Sequence, residues 1–103
     1  MKRLLLITAL LFSSYAFSQN ALVHINAKFN SSNDWYGLQS IDKAKVYSGY
    51  IESNPSIKDR YTITKVPTLI LYKDGEEVQR WEGGLDMKLH VTTREVQDII
   101  DRF

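Results

Sequence analysis

The stretch TLILYKDGEEVQRW, residues 68–81, decides the fold class of this chain. Two strand-like runs flank Asp74-Gly75, a pair suited to the positive φ angles of a tight hairpin turn. The stretch therefore predicts an antiparallel hairpin. Val66-Pro67 interrupts the chain before the hairpin, and Glu82-Gly83-Gly84 ends it.

A terminal helix is predicted beyond the hairpin. Thr92 and Glu95 fit a capping box, in which Thr92 accepts from the helix backbone and Glu95 reaches back to the N-cap amide. Tyr72 and Trp81 of the hairpin are expected to pack against the sheet or this helix rather than to form a binding face. The helix carries an apolar stripe at i, i+3, i+4 and i+7, which comprises Val96, Ile99, Ile100 and Phe103.

Upstream of the hairpin, Ala21–Ala27 is rich in β-branched residues and alternates aliphatic with polar residues after Val23, which predicts a strand. Asn30–Asp34 consists of five polar residues that favour turns and helix N-caps. A short helix is expected to begin there, although Gly37 weakens it. Its apolar positions are Trp35, Leu38 and Ile41.

A second strand is predicted over Lys45–Ile51, where Gly49 indicates a bulge or a close backbone approach. A short helix should follow over Asn54–Tyr61, with Asn54 as the N-cap and Pro55 at the first helical position. The predicted order is strand, helix, strand, short helix, strand, strand, helix. This order indicates an α/β fold with a mixed sheet of about four strands flanked by helices.

The N-terminus has the features of a signal peptide. Met1-Lys2-Arg3 is basic, and the apolar run Leu4–Phe12 is shorter than the roughly 20 residues of a membrane-spanning helix. Ala16-Phe17-Ser18 has small residues where a signal peptidase requires them. We expect cleavage before Gln19 and export to the periplasm or the cell exterior; an uncleaved anchor is the alternative.

Removing residues 1–18 leaves 85 residues, enough for one compact domain over residues 19–103. Lys2 and Arg3 leave with the signal, so 11 basic and 12 acidic residues remain. This balance gives no indication of nucleic-acid binding. The chain contains no cysteine, which excludes thiol redox chemistry and requires the core to hold without disulfides.

The element order and several motifs resemble the thioredoxin family. Val23–Phe29 is similar to the central strand that leads into the family's Cys-Gly-Pro-Cys turn, and Asn30-Ser31-Ser32-Asn33 stands where that turn would be. The run from Asn54 to Gly83 is the most specific part of the resemblance. Its matching pieces are Asn54-Pro55, Tyr61-Thr62-Ile63, Val66-Pro67-Thr68-Leu69, Tyr72-Lys73-Asp74-Gly75 and Gly83.

The sequence departs from the family pattern beyond the two cysteine positions, which hold Asn30 and Asn33. The family's first strand and helix are missing, which should leave Val46–Ile51 at an exposed sheet edge. The helix after the turn is expected to be shorter than the family's. His24 occupies the position where thioredoxins often bury an acid that assists proton transfer.

The resemblance also implies a peptide-binding site. In the family, the proline corresponding to Pro67 is cis, and the residue before it pairs its backbone with an extended peptide. If carried over, Val66 would offer that edge, and Phe29, Trp35 and Gly83 would shape a groove around it. The alternative is that a cis-proline only sets the turn into the hairpin.

No catalytic residue, metal site or cofactor is predicted. Ser31 and Ser32 have no recognisable His-carboxylate partner. His24 and His90 are the only histidines, and His24 is interpreted as a core histidine with its hydrogen bonds satisfied. The Asn30–Asn33 turn would either hold a carboxylate or water at a helix N-terminus or simply cap the helix.

The sequence therefore predicts an exported, redox-inactive thioredoxin-like domain that binds an extended protein segment, with no nucleic-acid partner and no membrane attachment after signal cleavage. One alternative is a structural or assembly protein that forms homo-oligomers through the Val46–Ile51 edge. The others are an enzyme of non-thiol chemistry and a decayed gene product.

Overall fold

The computed structural model describes residues 20–103. The predicted signal peptide, residues 1–18, lies outside them. In chain order the elements are β1 (Asn20–Asn26), a first 3-10 helix (Lys28–Asn33), a second 3-10 helix (Tyr36–Ser40), β2 (Ala44–Tyr50), α1 (Ser56–Arg60), β3 (Thr68–Lys73), β4 (Glu76–Glu82) and α2 (Thr93–Asp101). None of the helices in residues 20–103 is long and apolar enough to cross a membrane.

The strands form one mixed sheet in the order β2-β1-β3-β4. β1 is parallel to β2 and antiparallel to β3, and β4 pairs antiparallel with β3. Asp74 and Gly75 have φ angles of 55° and 83°, which confirms the tight hairpin turn. The predicted α/β fold is confirmed, and β2 forms an edge of the sheet, as the resemblance implies.

The central strands are buried on both faces of the sheet because helices or loops cover each side. One face holds a cluster on which α2 packs, and Trp81 lies against it. Tyr72 packs on the other face, edge-on to Tyr61 with ring centroids 6.2 Å apart. The first cluster comprises Leu22, Leu69, Leu71, Val96 and Ile100, and the second comprises Val23, Ile25, Ile63 and Ile70.

The short helix predicted to begin at Asn30–Asp34 is present as two 3-10 helices in the crossover from β1 to β2, and neither is an α-helix. Neither has a side-chain N-cap, and the residues between them are extended. A Cβ atom at Gly37 would lie 2.5 Å from the Trp35 ring and 2.6 Å from Thr93 Oγ1, so a tight tertiary contact sets the path here. The predicted apolar residues still pack on the first cluster, and they are Trp35, Leu38 and Ile41.

Gly49 forms neither the bulge nor the close backbone approach that the sequence predicts. Gly49 pairs with Ile25 in an unbroken parallel register, and a Cβ there would meet Ile57 Cδ1 at an ordinary 3.5 Å. The register shift of the sheet lies instead between Leu71 and Tyr72, where β3 pairs with β4. The pairing of β1 with β2 is therefore regular along its whole length.

Helix boundaries differ from the prediction by a few residues. α1 begins at Ser56 with Pro55 as its N-cap, one residue later than expected. At α2, Thr92 Oγ1 accepts from Glu95 N–H at 3.1 Å and donates to Glu95 Oε1 at 3.2 Å, so the carboxylate does not reach the N-cap amide. Including Phe103 in the apolar stripe is wrong, because α2 ends at Asp101 and the ring is 50% exposed.

The C-terminus of α1 leads into the segment before β3 through a Schellman motif. Ile63 N–H donates to Lys58 O at 2.8 Å, and Thr62 N–H donates to Asp59 O at 3.3 Å. Thr62 adopts φ 53°, a left-handed conformation that is unfavourable for a β-branched residue. Arg80 on β4 fixes this corner, since its guanidinium donates to the Tyr61 and Thr62 carbonyls.

Candidate functional site

The Asn30–Asn33 turn lies after β1, within the first 3-10 helix. Ser31 and Ser32 are exposed, whereas Asn30 is buried and Asn33 is half-buried. Asn30 departs from helical geometry (φ −107°, ψ 17°), and Asp34 after the turn is extended. No α-helix begins here. The prediction that free N–H groups and the positive end of a helix dipole lie near Asn33 is therefore wrong.

Three asparagine side chains hold this turn together. Nδ2 of the fully buried Asn26 donates to Asn30 O at 2.9 Å and to Asp34 Oδ1 at 2.7 Å. Asn30 Nδ2 donates back to Asn26 Oδ1 at 3.0 Å, and Asn33 Nδ2 donates to Asn30 Oδ1 at 2.7 Å. Because buried polar groups are stable when paired, this network fixes the turn in one conformation.

A carboxylate and a phenol extend the network to β2. Tyr50 OH donates to Asp34 Oδ2 at 2.5 Å, so the Asp34 carboxylate joins Asn26 on β1 to Tyr50 on β2. The hydrogen bond to Asp34 raises the pKa of Tyr50, because ionisation would remove the donor and bring two negative charges together. Tyr50 therefore remains a hydrogen-bond donor at neutral pH.

His24 is almost fully buried on β1, as predicted for a core histidine. Trp35 N–H donates to His24 Nε2 at 3.2 Å, so Nδ1 carries the ring proton and donates to Ser48 Oγ at 3.1 Å. Burial lowers the pKa of His24, and the negative charge of Asp34 opposes that shift. Both nitrogens of the neutral ring are thus engaged within the protein.

The described part of the chain contains neither a cluster of metal ligands nor a general base paired with Ser31 or Ser32. Residues 20–103 contain no group of three or more His, Cys, Asp or Glu side chains that could hold a metal. His90 Nε2 is exposed and pairs with Asp86 Oδ2 at 2.7 Å. Among residues 20–103, neither the Ser31 nor the Ser32 hydroxyl bonds to a histidine or a carboxylate. These hydroxyls therefore have no general base in the structure.

The cis-proline loop, residues 64–67, connects the corner after α1 to β3. The Val66–Pro67 peptide bond is cis, as the resemblance implies. Gly83 N–H donates to Pro67 O at 2.8 Å, and a Cβ atom at Gly83 would lie 2.6 Å from Val66 O, so this contact requires glycine. Val66 is half-buried, and its N–H takes part in none of the backbone hydrogen bonds within residues 20–103.

A groove of about 370 Å³ lies beside the cis-proline loop. Side chains from just after β2, from α1 and the corner that follows it, from the loop itself and from the segment after β4 contribute to it. Most of these side chains are apolar, and Leu85 is fully exposed to solvent at the groove. The lining residues are Ile51, Lys58, Ile63, Thr64, Lys65, Val66, Gly84, Leu85 and Met87.

The structure brings together some of the residues predicted for a groove and separates others. Val66 lines the groove, and Pro67 and Gly83 adjoin it through their mutual contact. Phe29 is 72% exposed and lies outside the lining. Trp35 also lies outside it, because its Nε1 donates to Val91 O at 3.0 Å and the ring packs on the core.

Sequence reasoning missed the contribution of the segment after β4. Leu85 and Met87 follow the hairpin without any periodicity, and the only signal is a large apolar residue directly after Gly83-Gly84. Met87 adopts φ 59°, and its carbonyl accepts from Asn30 Nδ2 at 3.0 Å. The amide network of the turn therefore reaches the groove.

Comparisons with known proteins agree with this architecture. No protein-family model matches the chain. A chloroplast thioredoxin of Arabidopsis thaliana is 47% identical over 47 residues, 46% of this chain and 27% of the relative. Thioredoxin 1 of Synechococcus elongatus is 36% identical over 52 residues, 50% of this chain and 49% of the relative. The chain thus matches from about a quarter to half of the length of these curated relatives.

Solved structures extend the likeness to most of the fold. A mutant thioredoxin from Halobacterium salinarum superposes with a TM-score of 0.66 at 20% identity, covering 84% of this chain and 75% of that one. Thioredoxin of Fasciola hepatica superposes with a TM-score of 0.57 at 17% identity, covering 82% and 81%. At these identities the likeness concerns the fold, which is that of thioredoxin.

Proposed function

This chain is a cysteine-free thioredoxin-like protein, and we propose that it binds an extended polypeptide segment in the groove beside the cis-proline loop. The observation that carries the proposal is the groove itself, which is lined by Val66, a residue whose N–H has no backbone partner within residues 20–103. A peptide backbone can pair with such a group while its side chains enter apolar pockets. Specificity would then come from the groove lining.

The Asn30–Asn33 turn has a structural role in this proposal. Asparagine at the two positions where the family has cysteine neither ionises nor attacks, and the amides of Asn30 and Asn33 are committed to the network. Asn30 also holds the Met87 carbonyl, so the turn supports the groove instead of carrying out chemistry. On this reasoning the protein is a binding module and not an enzyme.

We also propose that the protein acts outside the cytoplasm. The basic residues and apolar run of residues 1–18 are typical of a signal peptide. A cysteine-free domain is compatible with an oxidising compartment, because no thiol is present to form unwanted disulfides. The partner would accordingly be another exported protein or an unfolded segment of one.

Site-specific photo-crosslinking tests the groove. A photoreactive residue replaces the exposed Leu85, and mass spectrometry maps the crosslinks formed in an extract of exported proteins. Gly84→Phe fills the groove and should abolish the crosslinks, whereas Glu76→Phe, at the far end of the hairpin, should preserve them. The proposal is supported if the crosslinks converge on short segments of a partner and depend on Gly84 in this way. Crosslinks that survive Gly84→Phe would contradict it, provided circular dichroism shows both variants folded.

Assembly through the sheet edge is the second candidate, and the exposure of β2 favours it. Val46 and Tyr47 are 38% and 53% exposed on a strand whose outer side pairs with no other strand in residues 20–103. Such an edge is a template for pairing. Sedimentation should then show an oligomer that grows with concentration and that Tyr47→Lys disrupts, because lysine on an edge strand opposes pairing. A monomer at all concentrations would exclude this candidate.

A further inference from the structure

The charged residues of the groove all have one sign. Lys58 on α1 and Lys65 in the cis-proline loop are the only charged side chains in the lining, which contains no Asp or Glu. Within residues 20–103, the ion pairs involve Arg80 and His90 and neither of these lysines. The groove is therefore mostly apolar, with two lysines that form no ion pair within residues 20–103.

The carboxylates adjacent in sequence to the lining are Glu52, Asp59 and Asp86, and within residues 20–103 none of them forms an ion pair with either lysine. The Asp86 Oδ1 atom lies 3.6 Å from where a Gly84 Cβ would be. The oxygens of Asp86 are occupied, since Lys88 N–H donates to Oδ1 at 3.1 Å and His90 Nε2 contacts Oδ2 at 2.7 Å. Glu52 likewise accepts from Lys28 N–H at 2.9 Å.

The overall charge of the chain does not account for a preference for acidic ligands. The whole chain has 13 basic and 12 acidic residues, so its net charge does not attract acidic ligands in general. Complementary charge in an interface selects partners by sign more than it adds affinity. A charge preference in binding would accordingly report on Lys58 and Lys65.

We propose that the segment bound in the groove is an acidic one, and this inference rests on the proposed function. Apolar side chains of the segment contact Ile63 and Met87, and carboxylates of Asp or Glu residues between them pair with Lys58 and Lys65. In an extended peptide alternate side chains form two rows on opposite sides, so the apolar row and the acidic row would contact different parts of the groove. The partner is thus an extended acidic-apolar stretch of a polypeptide.

Heteronuclear NMR with three matched peptides tests this inference. Each blocked octapeptide has valine at alternate positions, and the remaining positions are all glutamate, all glutamine or all lysine. The glutamate peptide should shift the amide signals of Lys65, Val66 and Met87 and bind roughly threefold to tenfold more tightly than the glutamine peptide, as expected for two solvent-exposed ion pairs. Added salt should reduce this difference. The lysine peptide should bind most weakly.

Charge reversal supplies the matched control. The double variant Lys58→Glu/Lys65→Glu should prefer the lysine peptide, whereas Lys43→Glu/Lys45→Glu, which changes two lysines at the start of β2, should keep the preference for glutamate. Equal binding of the glutamate and glutamine peptides, with shifts in the groove, would overturn the acidic preference and leave the proposed function standing. No groove shifts with any peptide would overturn both.

Discussion

The hairpin region and the crossover are held in shape by different kinds of interaction. From Asn54 to Gly83 the chain follows mainly local signals: Asp74-Gly75 supplies the positive φ angles of the turn, and the Schellman motif at Thr62 and Ile63 ends α1. The crossover, residues 27–43, depends on side-chain amides and on partners far along the chain. Local turn chemistry can be read from sequence, whereas remote hydrogen bonds cannot.

The largest effect is expected from breaking the amide network with Asn26→Leu. This change leaves Asn30 O and the carboxylate of Asp34 without the Asn26 donor, and loss of buried partners costs roughly 3 kcal/mol of unfolding free energy. Asn33→Ala removes one bond at a half-buried site and should cost about 1 kcal/mol or less. Urea unfolding measures the free energy of unfolding of both variants. A loss for Asn26→Leu no larger than that for Asn33→Ala would contradict the central role of Asn26.

In the hairpin region, the corresponding test is Gly83→Ala. The new Cβ would meet Val66 O at 2.6 Å, and because that atom belongs to the backbone it cannot move aside cheaply. We expect a loss of roughly 2 kcal/mol in urea unfolding. Gly84→Ala is the matched control, because its nearest contact is 3.6 Å away and its stability should be nearly unchanged. Tolerance of alanine at Gly83 would contradict the close contact.

The pH dependence of stability should report on the crossover through His24. Its pKa is lowered in the folded state by burial, so the unfolded chain takes up the proton at higher pH. The stabilisation is complete above the ordinary value of about 6.5 and is lost progressively as the pH falls below it, by at most about 1.4 kcal/mol per pH unit for one proton. His24→Gln should flatten this slope between pH 7 and 5. If the slope of unfolding free energy against pH is unchanged in this variant, groups other than His24 cause the pH dependence.

The smallest effect concerns the corner before the cis-proline loop. Thr62→Gly should stabilise the protein by about 1 kcal/mol, because glycine accepts the left-handed φ of 53° without penalty. The same change at Thr64, which has no positive φ, should not stabilise. Thermal unfolding compares the two variants; equal responses would indicate that the backbone at Thr62 is unstrained.

Much of the fold was predictable because its elements carry their own signals. The hairpin, the edge position of β2 and the terminal helix follow from turn residues, periodicity and the family resemblance. The 3-10 form and the kink of the crossover were not predictable, because Gly37 and Asn30 make contacts with Thr93 and Met87 that no local pattern encodes. Part of the groove lining was predictable: the family resemblance identified Val66, whereas only the structure identified Leu85 and Met87.

The crossover is bonded to residues far along the chain, and this affects the order in which the protein folds. Asn30 reaches Met87, Trp35 reaches Val91 and Asp42 pairs with Gln97, across separations of 57, 56 and 55 residues. Contacts this distant form late, since the intervening chain must be brought together first. We expect the crossover to become ordered only after α2 has docked, so a segment near the start of the domain would be the last to acquire its shape.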